Sequence, residues 1–90
     1  MYLKYGNETI LYRSISNIVK DYHLKYGRGE EPTKDKNKPL IIIFTSNNII
    51  EIPCVGEREQ NIIVDILLEK IEKNEPYTLE KIEAWTKEEK

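Results

Sequence analysis

The sequence predicts an α+β fold, an antiparallel β-meander of four to five strands with one face covered by a C-terminal pair of helices. Three observations carry this expectation. The first half alternates apolar and polar residues between Gly, Asn and Pro turns. Leu40–Phe44 is apolar at every position. A helical period of 3.6 appears only after Gly56. The 90 residues suffice for one domain. Strands are expected at about 1–5, 8–13, 18–26, 40–46 and 49–54, and helices at about 57–73 and 79–88.

Met1–Arg13 reads as a hairpin. Gly6-Asn7 is a two-residue turn with Gly first, which suits type II′ and sets Tyr5 opposite Glu8 and Leu3 opposite Ile10. Met1, Leu3, Ile10 and Tyr12 then share the core face. Ser14–Tyr26 fits two templates. As a helix it aligns Ile15, Ile18, Val19, Tyr22 and Tyr26; as a strand it aligns Ile18, Tyr22, Leu24 and Tyr26. Ser, Asn, Val, Tyr, His and Asp are weak helix formers, and the helix leaves Leu24 opposite its stripe, so a strand over about 18–26 is expected.

Arg28–Pro39 has no apolar residue and alternates charge signs between Gly and two Pro, so it reads as a mobile loop. The continuous apolar run LIIIF marks a central strand covered on both faces. Asn47-Asn48 turns the chain, and Ile49–Cys54 returns with Ile50, Ile52 and Cys54 inward. Pro53 places this strand at an edge or ends it there. Ile43, Phe44, Ile50, Ile52, Ile63 and Leu67 are the expected core.

Gly56 can cap the first helix, with Glu57 and Glu59 at its positive end and Asn74 as a left-handed stop. Thr78 would cap the second helix, with Tyr77 and Ile82 as a hydrophobic staple and Leu79, Ile82 and Trp85 as a narrow stripe. The first helix is apolar over roughly 240° of its circumference, where a stripe somewhat wider than ~100° would do. Val64, Leu68 and Trp85 are therefore the candidate surface for a protein partner or a second copy of the chain, unless the second helix buries them.

Composition excludes several classes of function. The formal charge of −2 excludes a binder held by bulk positive charge. One Cys and one His leave no Cys-rich zinc site and no His-based metal set, so no cofactor or metal is expected. No nucleophile or acid–base pair stands out, which places an enzyme last. The N-terminus lacks a signal-peptide apolar region, and no apolar run approaches the ~18 residues of a membrane span. With Cys54 free, a cytoplasmic protein is expected.

The aromatic residues are lopsided. Five of the six Tyr lie in residues 1–29, where five cations and two anions give +3; residues 30–60 carry −2 and residues 61–90 carry −3. Basic residues interleaved with aromatics on a sheet suit single-stranded nucleic acid, so Tyr2, Lys4, Tyr22, Lys25, Tyr26 and Arg28 form a second candidate surface.

Strands first and then two helices, on an acidic chain of under 100 residues, resembles small phage-encoded proteins, among them inhibitors of the anti-CRISPR type. The resemblance is architectural and no motif carries it, so it transfers no residue role. It implies a non-catalytic protein-binding module: a stoichiometric inhibitor or regulator of a larger, nucleic-acid-processing host-defence protein. The alternative is a single-stranded nucleic-acid binder using the Tyr/Lys/Arg face.

Overall fold

A computed structural model of the chain describes residues 1–29 and 31–81. The element order is β1 (Tyr2–Tyr5), β2 (Glu8–Leu11), a 3₁₀ turn (Tyr12–Ser14), β3 (Ile15–Lys25), β4 (Thr33–Thr45), β5 (Ile49–Pro53), α1 (Glu57–Lys73) and β6 (Tyr77–Leu79). The strands form two three-stranded sheets, a small one in the order β2-β1-β6 and a main one in the order β3-β4-β5.

The hairpin takes the register its turn dictates, with Leu3 opposite Ile10 and Tyr5 opposite Glu8. Gly6 has φ +60°, and Asn74 is the only non-Gly residue with positive φ among the described residues, so Asn7 stays at negative φ as a type II′ turn requires. Leu3, Tyr5, Ile10 and Tyr12 are buried, whereas Met1 is exposed. Ile15–Lys25 is a strand, paired antiparallel with β4 through Ile18–Ile43 and Lys20–Ile41.

The meander with a C-terminal helix pair is corrected by this architecture. The hairpin does not continue into the main sheet; it pairs with β6, which runs parallel to β1 with Leu3 beside Tyr77 and Tyr5 beside Leu79. Tyr-Thr-Leu fits a pleated strand, and Tyr77 and Leu79 face the core while Thr78 is exposed. Leu79 therefore belongs to a strand rather than to a second helix. The rest of that expected helix, with Ile82 and Trp85, lies outside the described residues. A single helix, α1, is present among the described residues. The order of strands and then two helices, on which the resemblance to phage-encoded inhibitors rested, is not the order of this fold.

The expected loop over 28–39 is corrected as well, because β4 begins at Thr33. Its charged residues lie on an exposed two-stranded ribbon, where no apolar pattern is needed to hold a register. Lys34 Nζ is 3.0 Å from Asp21 Oδ1, and Lys36 Nζ lies 4.4 Å over the Tyr22 ring. Between Tyr22–Pro39 and Leu24–Lys34 the register shifts, so Asp35–Lys38 bulge opposite His23.

One core joins the layers. Leu3, Tyr5, Ile10 and Tyr12 of the small sheet meet Ile41, Ile43, Ile50, Ile52 and Cys54 of the main sheet and Ile63, Val64 and Leu67 of α1. Leu3, Ile41, Ile43 and Leu67 are fully enclosed. The run LIIIF was expected to be covered on both faces. The odd positions Ile41 and Ile43 are fully buried, while Ile42 and Phe44, on the other face, are half-buried.

Candidate functional site

The sequence stops α1 at Asn74, and the structure shows how. Asn74 is left-handed (φ 54°, ψ 48°), its N–H donates to Ile71 O at 3.1 Å, and the Glu75 N–H donates to Lys70 O at 2.9 Å, a Schellman arrangement. The chain reverses, Pro76 follows, and β6 runs back past the helix. At the other end Gly56 is the N-cap, and the Glu59 carboxylate accepts from the Val55 N–H at 2.8 Å.

Between α1 and β6 this reversal leaves a groove of about 610 Å³, walled by Val55, Ile62, Ile63 and Ile66 on one side and Tyr77 and Leu79 on the other. Its exposed lining is mostly carbon. Ile62 is 48% exposed, Ile66 37% and Val55 64%, large values for branched apolar side chains. Arg58 and Glu59 border it. Glu59 is engaged with Val55, while Arg58 is exposed and has no ion-pair partner among the described residues.

The helix therefore divides its apolar circumference three ways. Gln60, Ile63, Val64 and Leu67 point into the core. Ile62 and Ile66 face the β6 groove. Leu68, on the opposite flank and half exposed, lies beside Ile15, Ile18 and Ile71 at the β3 edge. Of the first candidate surface, Val64 is buried, Leu68 one helical turn further on is half exposed, and Trp85 lies outside the described residues. The surplus apolar surface is real, and it lies at Ile62 and Ile66 on the groove side and at Leu68 on the other flank. A helical period alone does not reveal which side of the stripe meets the sheet, so the sequence could not assign it.

The second candidate surface is split between sheets. Tyr2 and Lys4 lie on the outer side of β1 in the small sheet, whereas Tyr22 and Lys25 are on β3, with Tyr26 (71% exposed) and Arg28 just beyond it. Only the second group shares a region, where Lys34 and Lys36 join it from β4. Those two lysines are engaged with Asp21 and the Tyr22 ring. The hydrogen bond from Lys34, and next the one from the Tyr22 N–H, hold the Asp21 carboxyl below its ordinary range. Partial desolvation and then the Glu57 carboxylate raise the Tyr22 hydroxyl above its usual value.

Several outward donors on the edges of the main sheet are capped by the preceding residue's side chain. The Pro39 carbonyl accepts from the Cys54 N–H just past β5 (3.0 Å), so by alternation the Ile18, Lys20 and Tyr22 main chain points outward from β3. Ile18 N–H donates to Asn17 Oδ1 at 2.9 Å and Tyr22 N–H to Asp21 Oδ1 at 2.8 Å. On β5 the outward Ile49 N–H donates to Asn48 Oδ1 at 2.8 Å, and Pro53 has no N–H at all. Side chains thus occupy three of the outward donors, those of Ile18, Tyr22 and Ile49, while Lys20 and Glu51 have no side-chain acceptor for theirs among the described residues.

Gln60 and Cys54 are polar groups buried in the core. The Gln60 amide, 2% exposed, donates to Asp21 O at 2.9 Å and Leu40 O at 2.8 Å, tying α1 to two strands. Cys54 is fully enclosed, and burial pushes its thiol up to about 12, so it is a packed core group. Among the described residues no three His, Cys, Asp or Glu side chains gather to hold a metal, and no helix is long and apolar enough to cross a membrane. The chain matches no protein-family model, no curated protein and no solved structure.

Proposed function

We propose that this protein is a non-catalytic module that binds another protein through the groove between α1 and β6. One observation carries the reading: branched apolar side chains at Val55, Ile62 and Ile66 stay open to solvent along a groove of about 610 Å³. Exposed contiguous apolar surface on a small domain favours a protein interface. A stoichiometric regulator fits a chain of this size, which offers a surface and little else. The idea of a host-defence target rested on an architectural resemblance that this fold does not retain, so it is not carried forward.

The test is site-specific photocrosslinking with the full chain in its native cell extract. A crosslinker at Ile66 should join one protein in a one-to-one complex by native mass spectrometry. A crosslinker at Leu68, on the opposite flank, should not, and Ile62→Asp should abolish the product while leaving the circular dichroism of the chain unchanged. Crosslinking that is equal from both positions overturns the groove. Steeply salt-dependent binding of a single-stranded oligonucleotide, lost on mutating Lys25 and Arg28, overturns the protein-binding reading in favour of nucleic acid.

A further inference from the structure

We infer that the groove takes an extended segment of the partner protein as an added β-strand on the outer edge of β6, apolar at alternate positions and carrying a carboxylate for Arg58; this rests on the protein-binding reading above. The Gly6 N–H donates to Leu79 O at 3.3 Å, so Leu79 turns its main chain towards β1. Strand alternation then aims the Thr78 N–H and C=O away from β1, along the open side of β6. Unlike those of Ile18, Tyr22 and Ile49, and like those of Lys20 and Glu51, the outward Thr78 N–H has no side-chain acceptor among the described residues. Among the described residues no strand pairs with this edge of β6, which lies beside the apolar wall of the groove.

An edge strand next to a helix flank is a recognition geometry in its own right. Main-chain hydrogen bonds align the incoming segment, and alternate side chains enter the groove. Ile62 and Ile66 lie one helical turn apart, about 6 Å along the helix, close to the spacing of alternate residues on a strand. Two successive inward side chains of the added segment can each meet one isoleucine. A helical ligand would also contact the apolar wall but would leave the Thr78 groups unpaired. Arg58, exposed at the border and without an ion-pair partner among the described residues, supplies charge selection for an acidic residue.

A displayed library of short random peptides, panned against the full chain, tests this. Enriched peptides should carry Val, Ile or Leu at alternate positions with Asp or Glu at a fixed offset. N-methylation of one inward-facing amide in the best synthetic peptide should weaken it about tenfold, the value of roughly one well-made hydrogen bond. Arg58→Glu should reverse the preference from acidic to basic peptides, and Ile66→Asp should abolish binding in a chain of unchanged thermal stability. No enriched peptide, or apolar residues at three- and four-residue spacing, overturns strand addition. Indifference to N-methylation overturns it as well. If the Ile66 crosslink to a protein persists in any of these cases, groove binding stands and only the strand form of the ligand falls.

Discussion

Gln60 is the most informative single position for the fold, because its amide does something no apolar side chain can do. It is enclosed, and it donates to carbonyls on two adjacent strands, Asp21 O and Leu40 O. Asp21 and Leu40 are register partners whose main chains face each other, so each carbonyl keeps a strand partner if the amide is removed. Gln60→Met is nearly volume-conserving and should therefore cost only the net value of two hydrogen bonds, about 1–3 kcal/mol. Gln60→Glu differs by one group, yet at neutral pH it sets a buried carboxylate against two carbonyl oxygens and should cost about 3–5 kcal/mol, comparable to breaking a buried pair. The two variants separate further with pH. Burial raises the folded-state pKa of the introduced carboxyl above its unfolded value of about 4.3. Its penalty is therefore absent below that value, where the acid is protonated in both states and can donate one hydrogen bond. The penalty grows as pH rises towards the folded-state pKa. Urea denaturation at pH 7 and near pH 4 reads this directly, at roughly 1 M of midpoint per 1–3 kcal/mol. Gln60→Glu should gain on Gln60→Met as the pH falls. Equal midpoints at both pH values would refute the buried, donating amide and the docking of α1 that depends on it.

Two further outcomes follow from local geometry. Gly6→Val should lower stability by about 1–3 kcal/mol by thermal melting, since φ +60° is hostile to a β-branched residue while the nearest obstacle, Lys81 Cε at 2.8 Å from a built Cβ, is the movable end of a flexible chain; an unchanged melting temperature removes the turn assignment. Asn17→Val with Asn48→Val frees the Ile18 and Ile49 donors and should speed aggregation in a thioflavin assay with the native far-ultraviolet spectrum retained, whereas an unchanged rate would show that these side chains do not guard the edges.

The parts of the fold that were legible in the sequence are those decided within a few residues. Gly6-Asn7 fixes both a turn and a register, and Asn74 ends α1 because an Asn tolerates the left-handed conformation that reversal needs. β6 was illegible for the opposite reason. Three residues carry little periodic signal, and their partner, β1, lies more than seventy positions away in a parallel pairing that no hairpin rule announces. Thr78 ahead of Leu79 reads locally as a helix cap, and tertiary pairing overrides it. The ribbon from Thr33 was hidden by its charges, since an exposed strand pair does not need an apolar face. The groove was half legible. The excess of apolar residues on α1 pointed to an exposed surface, but its position depends on the rotation of the helix against the sheet. That rotation is set by Gln60, Ile63, Val64 and Leu67 together, and wheel geometry weights a buried Gln as solvent-facing.

The walls of the groove are joined by a very short path, which bears on how it would bind. From the left-handed Asn74 only Glu75 and Pro76 separate α1 from β6, and both ends of that path are held. The Glu75 N–H is bonded back to Lys70 O, and the Glu75 carbonyl accepts from the Tyr12 hydroxyl at 2.6 Å, a contact across the core from the hairpin side. Pro76 fixes its own φ. The spacing between Ile66 and Tyr77 is thus determined by a Schellman turn, a proline and one long-range hydrogen bond rather than by a flexible loop. A groove held this way loses little conformational entropy when it is filled, so its affinity is not taxed by ordering its own walls. On the strand-addition proposal, the 74–76 turn fixes how far an added strand on β6 would lie from α1, and an extended chain is thinner than a helix. The hairpin, the helix end and β6 are therefore tied together, and the Tyr12–Glu75 bond and the β1–β6 pairing are where the N-terminal residues help hold one wall of the proposed groove.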